Sequence, residues 1–138
     1  MIGTILLLAL LAIAAATDVA WQRIYNWTTY SGILLAWGLN AAGEVAVLAG
    51  KADPERLEAL GWIGFAASLA GFLLCGFVLL ACYVFFQVGG GDVKLMAMVG
   101  AIAGPEGGIE IMLWTFVIGG CMALIVLVWR VGAVRLVA

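Results

Sequence analysis

The chain contains no histidine, and only 10% of its 138 residues are charged. Without histidine it can form neither a serine–histidine catalytic pair nor a zinc site of the H-E-x-x-H type. Cys75, Cys82 and Cys121 show no C-x-x-C spacing, so we interpret them as small apolar residues. The sequence therefore predicts no metal and no cofactor, and no nucleic-acid partner.

Hydrophobic residues, by contrast, make up 67% of the chain, and its mean hydropathy is +1.23. A helix needs about 20 apolar residues to cross a membrane. No Lys or Arg precedes Arg23, so the first apolar segment is expected to be a mature span and not a cleaved signal. The sequence predicts an all-α, polytopic membrane helical bundle, a single domain over 1–138 with about five spans. The predicted spans are 2–17, 27 to between 42 and 49, 60–86, 92–104 and 107–129.

The basic residues predict how these spans are oriented. Alternating five spans places four of them on one side, and only Lys51 and Arg56 on the other. Lys and Arg are enriched on the cytoplasmic side of membrane proteins. The amino terminus is therefore expected outside the inner (cytoplasmic) membrane, and the carboxyl terminus on its cytoplasmic side. Asp18 and Asp92 are the only carboxylates on the predicted cytoplasmic side. The four basic residues there are Arg23, Lys94, Arg130 and Arg135.

Asp92 follows three glycines, Gly89, Gly90 and Gly91, between long apolar runs. A carboxylate inside a membrane is costly and is usually functional. The predicted helix from Asp92 to Gly104 is only about 20 Å long, shorter than the hydrocarbon core of about 30 Å. Either the glycine loop or the turn at Pro105 is therefore expected to lie within the membrane, buried against other spans.

Two carboxylates that share a site can divide acid and base chemistry between them. One carboxylate activates water, and the other protonates the amide carbonyl and then the leaving nitrogen. The helix dipole favours an anion at Asp92, at a helix start, more than at Asp18, at a helix end. Asp92 is therefore expected to be the ionised partner and Asp18 to carry the shared proton.

Three other functional interpretations stay open. A single intramembrane aspartate such as Asp92 also suits a small proton- or ion-coupled transporter. The glycines also suit a hinge in a structural or assembly protein. A serine–lysine pair would combine Ser31 or Ser68 with Lys94, although neither serine lies near a lysine in the sequence.

Several polar residues near the aspartates have two interpretations. Lys94 is interpreted either as a positive charge that interacts with Asp92 or with lipid phosphate, or as an anchor of its helix at the inner interface. Arg23 is expected to determine membrane topology, and the alternative is that it supports the site or positions the leader. Asn26 is expected to cap the second helix rather than contact substrate. Asn40 and Glu44, four residues apart, are expected to hydrogen-bond along a helix near the outer interface.

Two motifs resemble one family of membrane peptidases. The segment Gly89–Lys94, of the form G-x-G-D-V-K, resembles the G-x-G-D signature of type IV prepilin peptidases. Upstream, Asp18, Arg23-Ile24 and Asn26 are similar to the D-x(4)-R-I-P-N segment that carries the first catalytic aspartate of that family. Tyr25 replaces the usual proline. The resemblance implies that Asp18 and Asp92 are the catalytic pair.

The chain looks like the short, peptidase-only members found in tight-adherence (Flp) pilus systems. Larger members add a cytoplasmic region with paired C-x-x-C motifs and methylate the pilin, and no such zinc or methyltransferase region is found here. The resemblance implies an aspartic endopeptidase that removes a short basic leader from a prepilin at the cytoplasmic face. The expected partners are the prepilin, with its apolar helix, membrane lipid and the pilus secretion machinery. Archaeal preflagellin peptidases share the aspartate pair and are a close alternative.

Overall fold

A computed structural model describes residues 2–21, 26–86 and 88–131, and no residue in these ranges lies in a strand. Within them, four helices are long and apolar enough to cross a membrane. The predicted all-α membrane bundle is therefore confirmed. Arg23, Ile24, Tyr25 and Arg135, used in the sequence predictions, lie outside the described residues. The helices are α1 (Ile2–Trp21), α2 (Asn26–Leu48), α3 (Pro54–Leu60), α4 (Phe65–Phe86) and α5 (Gly90–Val131).

Helix α5 is broken at Gly104, whose φ of 76° and ψ of −179° are not helical. Pro105 follows, and a proline restricts the preceding residue to extended backbone and cannot donate a helix hydrogen bond. The chain doubles back here. A Cβ built on Gly108 would lie 3.0 Å from the Cα of Gly100, whereas eight residues of straight helix span about 12 Å. Helix α5 is thus a hairpin with a first arm (90–103) and a second arm (105–131), which correspond to the fourth and fifth predicted segments.

Two predicted boundaries differ from the structure. Helix α1 continues to Trp21, so Asp18 lies in its last turn rather than after it. The predicted span 60–86 begins too early, because Leu60 ends α3 and the long helix starts at Phe65. Gly61, with φ 100°, ends α3, and its N–H donates a hydrogen bond to the backbone carbonyl of Glu58. Hydropathy misses this break because the residues between the two helices are themselves mostly apolar.

Asn40 and Glu44 hold this connection in place, and the prediction that they bond to each other is wrong. The Oδ1 of Asn40 accepts a hydrogen bond from the N–H of Ile63 at 3.0 Å. The Oε2 of Glu44 accepts one from the N–H of Phe65 at 3.2 Å. The first N–H groups of a helix have no partner within it. The two side chains therefore satisfy backbone donors where the chain enters α4.

Helices α4 and α5 pack closely at glycines. A Cβ built on Gly71 would overlap the carbonyl oxygen of Gly100, and a Cβ on Gly100 would overlap that of Gly71. One level away, a Cβ on Gly76 would lie 3.3 Å from the Cβ of Ala97. Small residues allow helix backbones to pack this tightly in a membrane. Gly100 and Ala97 thus form part of the contact between α4 and α5.

Replacing Gly71 by leucine should therefore destabilise the bundle by about 3 kcal/mol, because the added side chain forces α4 and α5 apart. The measurement is reversible unfolding of the purified protein in mixed micelles. Gly119→Leu is the matched control, since a Cβ on Gly119 meets nothing within 4 Å. Equal stability of the two variants would contradict this packing.

Candidate active site

Three helices touch at one level of the bundle. A Cβ built on Gly32 of α2 would lie 3.0 Å from Cδ1 of Leu10 in α1 and 2.8 Å from Cγ of Met98 in α5. Met98 is fully buried, and Leu10 belongs to the same apolar core. We call this meeting of Leu10, Gly32 and Met98 the three-helix contact. It provides a common reference level for positions along α1, α2 and α5.

The end of α1, the start of α2 and the start of α5 lie at one end of the bundle, here called the aspartate end. Only residues 22–25 separate the last residue of α1, Trp21, from the first of α2, Asn26. Across the bundle, the Nζ of Lys94 donates a hydrogen bond of 2.7 Å to the Oδ1 of Asn26. This bond joins the first turn of α2 to the first turns of α5.

Both aspartates lie on this side of the three-helix contact and at similar depth. Asp18 follows Leu10 by eight residues of α1, a rise of about 12 Å. Asp92 precedes Met98 by six residues of α5, a rise of about 9 Å in the same direction. The two positions therefore differ by only about 3 Å along the bundle axis.

Asp18 continues the packed face of α1. Leu7, Leu10 and Ala14 are the buried residues of this helix, with 8%, 8% and 2% of their surfaces exposed. Asp18 follows Ala14 by four residues, which places it on the same helix face one turn further on. Its side chain is exposed there. Neither the Asp18 nor the Asp92 carboxylate makes a hydrogen bond or ion pair with another described residue.

Asp92 lies in the first turn of α5, next to Gly89, which is the one glycine of the triplet outside the helix. The helix begins at Gly90, so Gly90 and Gly91 are helical and the predicted loop reduces to Gly89 at this end. The N–H of Asp92 donates to the carbonyl of Gly89 at 3.0 Å. A Cβ built on Gly89 would lie 3.1 Å from Oδ2 of Asp92. The absence of a side chain at Gly89 thus leaves room for the carboxylate.

Asp92 also lines a cavity of about 260 Å³ between α4 and the two arms of α5. Thr115 is the other polar residue in its wall, and its hydroxyl donates to the carbonyl of Ile111 at 2.7 Å. A cavity of this size holds several water molecules when polar partners are present. The carboxylate of Asp92 is one such partner, and a water molecule bound to it would be within reach of a general base. The apolar lining residues are Leu79, Val88, Leu95, Met96, Met112 and Phe116.

Lys94 faces away from this cavity. Residues two apart in a helix point about 200° apart, and the ammonium of Lys94 binds Asn26 and lies 5.8 Å from the centre of the Tyr30 ring. The predicted support of Asp92 by Lys94 is therefore not what the contacts show. Asn26 is the first residue of α2, and its side chain accepts from Lys94. Sequence reasoning missed this pairing because the two residues lie 68 positions apart.

The serine–lysine alternative finds no geometric support. Ser68 is buried, and its hydroxyl donates to the carbonyl of Ala101. The hydroxyl of Ser31 donates to the carbonyl of Thr28 at 3.1 Å. Neither hydroxyl bonds to Lys94, so neither is activated as a nucleophile in the part of the chain that the structure describes.

The fold and these side chains define an integral membrane protein of the helical-bundle class, with a glycine–aspartate helix start beside a cavity. The family model for the type IV leader peptidase family matches residues 5–124, a span that includes Asp18 and Asp92. The chain belongs to this family, and it is a membrane peptidase for prepilins or prepilin-like proteins. Searches of curated proteins and of solved structures found no match.

Replacing Gly89 by alanine should lower peptidase activity by up to about 100-fold, because the new methyl group displaces the Asp92 carboxylate by a fraction of an ångström or more. The measurement is the rate of leader removal from a co-expressed prepilin, with the amount of folded protein checked by gel filtration. In Gly38→Ala, the control, the added methyl group meets nothing within 4 Å. Full activity of the Gly89 variant would show that this glycine does not position Asp92.

Proposed function

We propose that this protein is an aspartic endopeptidase that removes the short basic leader from a prepilin at the cytoplasmic face of the inner membrane. The observation that carries the proposal is the similar depth of Asp18 and Asp92 at one end of the bundle. The family match supports peptidase chemistry over ion-coupled transport. With no histidine in the chain, paired carboxylates are the remaining acid–base groups of the right kind.

In the proposed reaction, one carboxylate takes a proton from a water molecule, which attacks the carbonyl carbon of the scissile peptide bond. The second, protonated carboxyl group donates its proton to the carbonyl oxygen, which gives a tetrahedral diol. As the C–N bond breaks, the first carboxyl group gives the proton taken from water to the leaving nitrogen, and the second recovers its proton from a diol hydroxyl. Catalytic hydrogen bonds are often long in a resting enzyme and tighten when substrate binds. That neither carboxylate bonds to another residue the structure describes is therefore compatible with this role.

The positions of the two aspartates at helix ends favour one assignment of the base and acid roles. Asp92 lies in the first turn of α5, where the helix dipole stabilises an anion, and Asp18 lies in the last turn of α1, where it does not. Asp92 is thus the proposed base, next to the cavity at the start of α5. Asp18 is the proposed acid, on the packed face of α1.

The proposed substrate has a basic leader followed by an apolar helix. The apolar helix would lie among the membrane spans while the leader stays in the cytoplasm near two acidic side chains. Opposite charge assists this docking over a short range only, because the Debye length is about 8 Å at physiological ionic strength. The proposed arrangement is a single peptidase domain, with the amino terminus outside and the carboxyl terminus inside.

Asp18→Asn and Asp92→Asn should each reduce leader removal by about 100-fold to 10,000-fold, because each removes one proton-transfer group. The measurement is the mobility shift of a co-expressed prepilin with a basic leader. Asp53→Asn is the matched control, since Asp53 is an exposed carboxylate that pairs with the exposed Arg56. Processing at the wild-type rate by either aspartate variant would reject the aspartic mechanism.

The proposed orientation makes a separate prediction about labelling. In a variant without the three native cysteines, a cysteine introduced at Asp53 should react with an impermeant maleimide in intact cells. A cysteine introduced at Asn26 should react only after the inner membrane is opened, because the aspartate end faces the cytoplasm. The reverse pattern would place the site on the outer face.

A further inference from the structure

A second, larger cavity lies on the other side of α5 from the Asp92 cavity. It has a volume of about 570 Å³ and is bounded by α2, α4 and the first arm of α5. We call it the Lys94 groove. Its walls are almost entirely apolar, and Gly76 and Ala97 form part of them where α4 packs on α5. The proposed reaction makes no use of this groove.

The mouth of the groove lies at the aspartate end and carries a positive charge. Lys94 is the only charged residue among those that line the groove in the described part of the chain. Its ammonium donates to Asn26 at 2.7 Å and lies 5.8 Å from the Tyr30 ring centre. No carboxylate pairs with it in that region, so the ammonium has donor capacity left for an anion.

From this mouth the groove runs towards the middle of the membrane. Its far end is formed by Trp37 and Phe72, whose rings meet edge to face with centroids 5.2 Å apart. The Lys94 ammonium at the mouth is bonded to Asn26. Asn26 and Trp37 are eleven residues apart on α2, so the distance from the ammonium to the far end is about 16 Å along the helix. Half of a hydrocarbon core of about 30 Å is of the same length. The groove therefore matches the depth of one lipid leaflet.

We propose that the Lys94 groove binds an anionic phospholipid of the inner leaflet, with one acyl chain along the apolar walls and the phosphate at Lys94. The positive mouth favours an anionic headgroup and disfavours a basic peptide segment. The apolar walls and the one-leaflet depth select an acyl chain rather than a free phosphate. The choice of the inner leaflet rests on the proposed orientation, but the inference does not depend on the peptidase mechanism, because the site lies on the opposite face of α5.

The test is native mass spectrometry of the purified protein with equal amounts of dioleoyl phosphatidylglycerol and dioleoyl phosphatidylcholine. The wild type should retain phosphatidylglycerol about fivefold more than phosphatidylcholine, the ratio that corresponds to about 1 kcal/mol per basic residue near an anionic headgroup. Lys94→Gln should abolish this preference, whereas Lys94→Arg should keep it. Lys51→Gln, which removes a lysine far from the groove, is the matched control.

A second variant tests the acyl-chain part of the site. Leu73 lines the groove and is 57% exposed, so Leu73→Trp should fill the groove without disturbing the core. This variant should lose retention of phosphatidylglycerol although Lys94 is intact. An unchanged preference in Lys94→Gln, or unchanged retention in Leu73→Trp, would overturn the proposal. Equal competition by glycerol phosphate would also overturn it, because the site would then be a phosphate site and not a lipid site.

Discussion

The close approach of α1, α2 and α5 at Leu10, Gly32 and Met98 fixes the relative depth of everything at the aspartate end. A Cβ at position 32 would overlap the buried side chain of Met98, so any larger residue there requires Met98 to move. Helical rise then determines the positions of Asp18 and Asp92, which lie a fixed number of residues from this contact. The two carboxylates, 74 positions apart in the sequence by their numbers, are brought to similar depth by packing that involves neither of them.

The hairpin in α5 explains how a carboxylate is accommodated within an apolar bundle. The second arm returns alongside the first and closes the cavity at Asp92. A charged group within a membrane is tolerated when it faces such a cavity. Because Lys94 points to the opposite side of the same helix, the proposed acid chemistry and the proposed lipid site lie on two faces of one arm.

The sequence predicted the helical fold, the placement of Asp18 and Asp92 at the same end of the bundle, and the break near Pro105. The patterns behind these predictions are hydropathy, the alternation of spans and a proline. The catalytic role of the two aspartates stays a prediction. The sequence did not predict the partners of Lys94, Asn40 or Glu44. Those partners depend on which helices are neighbours, and an apolar helix in a membrane carries little information about its neighbours. The break between α3 and α4 was missed for a related reason, since hydropathy records composition and not the positive φ of Gly61.

The most direct test of this account is the distance between positions 18 and 92 in the membrane. Spin labels attached at Asp18→Cys and Asp92→Cys, in a variant without the native cysteines, would report it by electron paramagnetic resonance in lipid nanodiscs. Neighbouring helices lie 8–10 Å apart, so with about 3 Å of axial offset the two Cα atoms should be separated by about 10 Å. A label separation below about 20 Å is therefore the predicted result. A separation of about 30 Å or more, the length of a whole span, would place the aspartates at opposite ends and contradict the account.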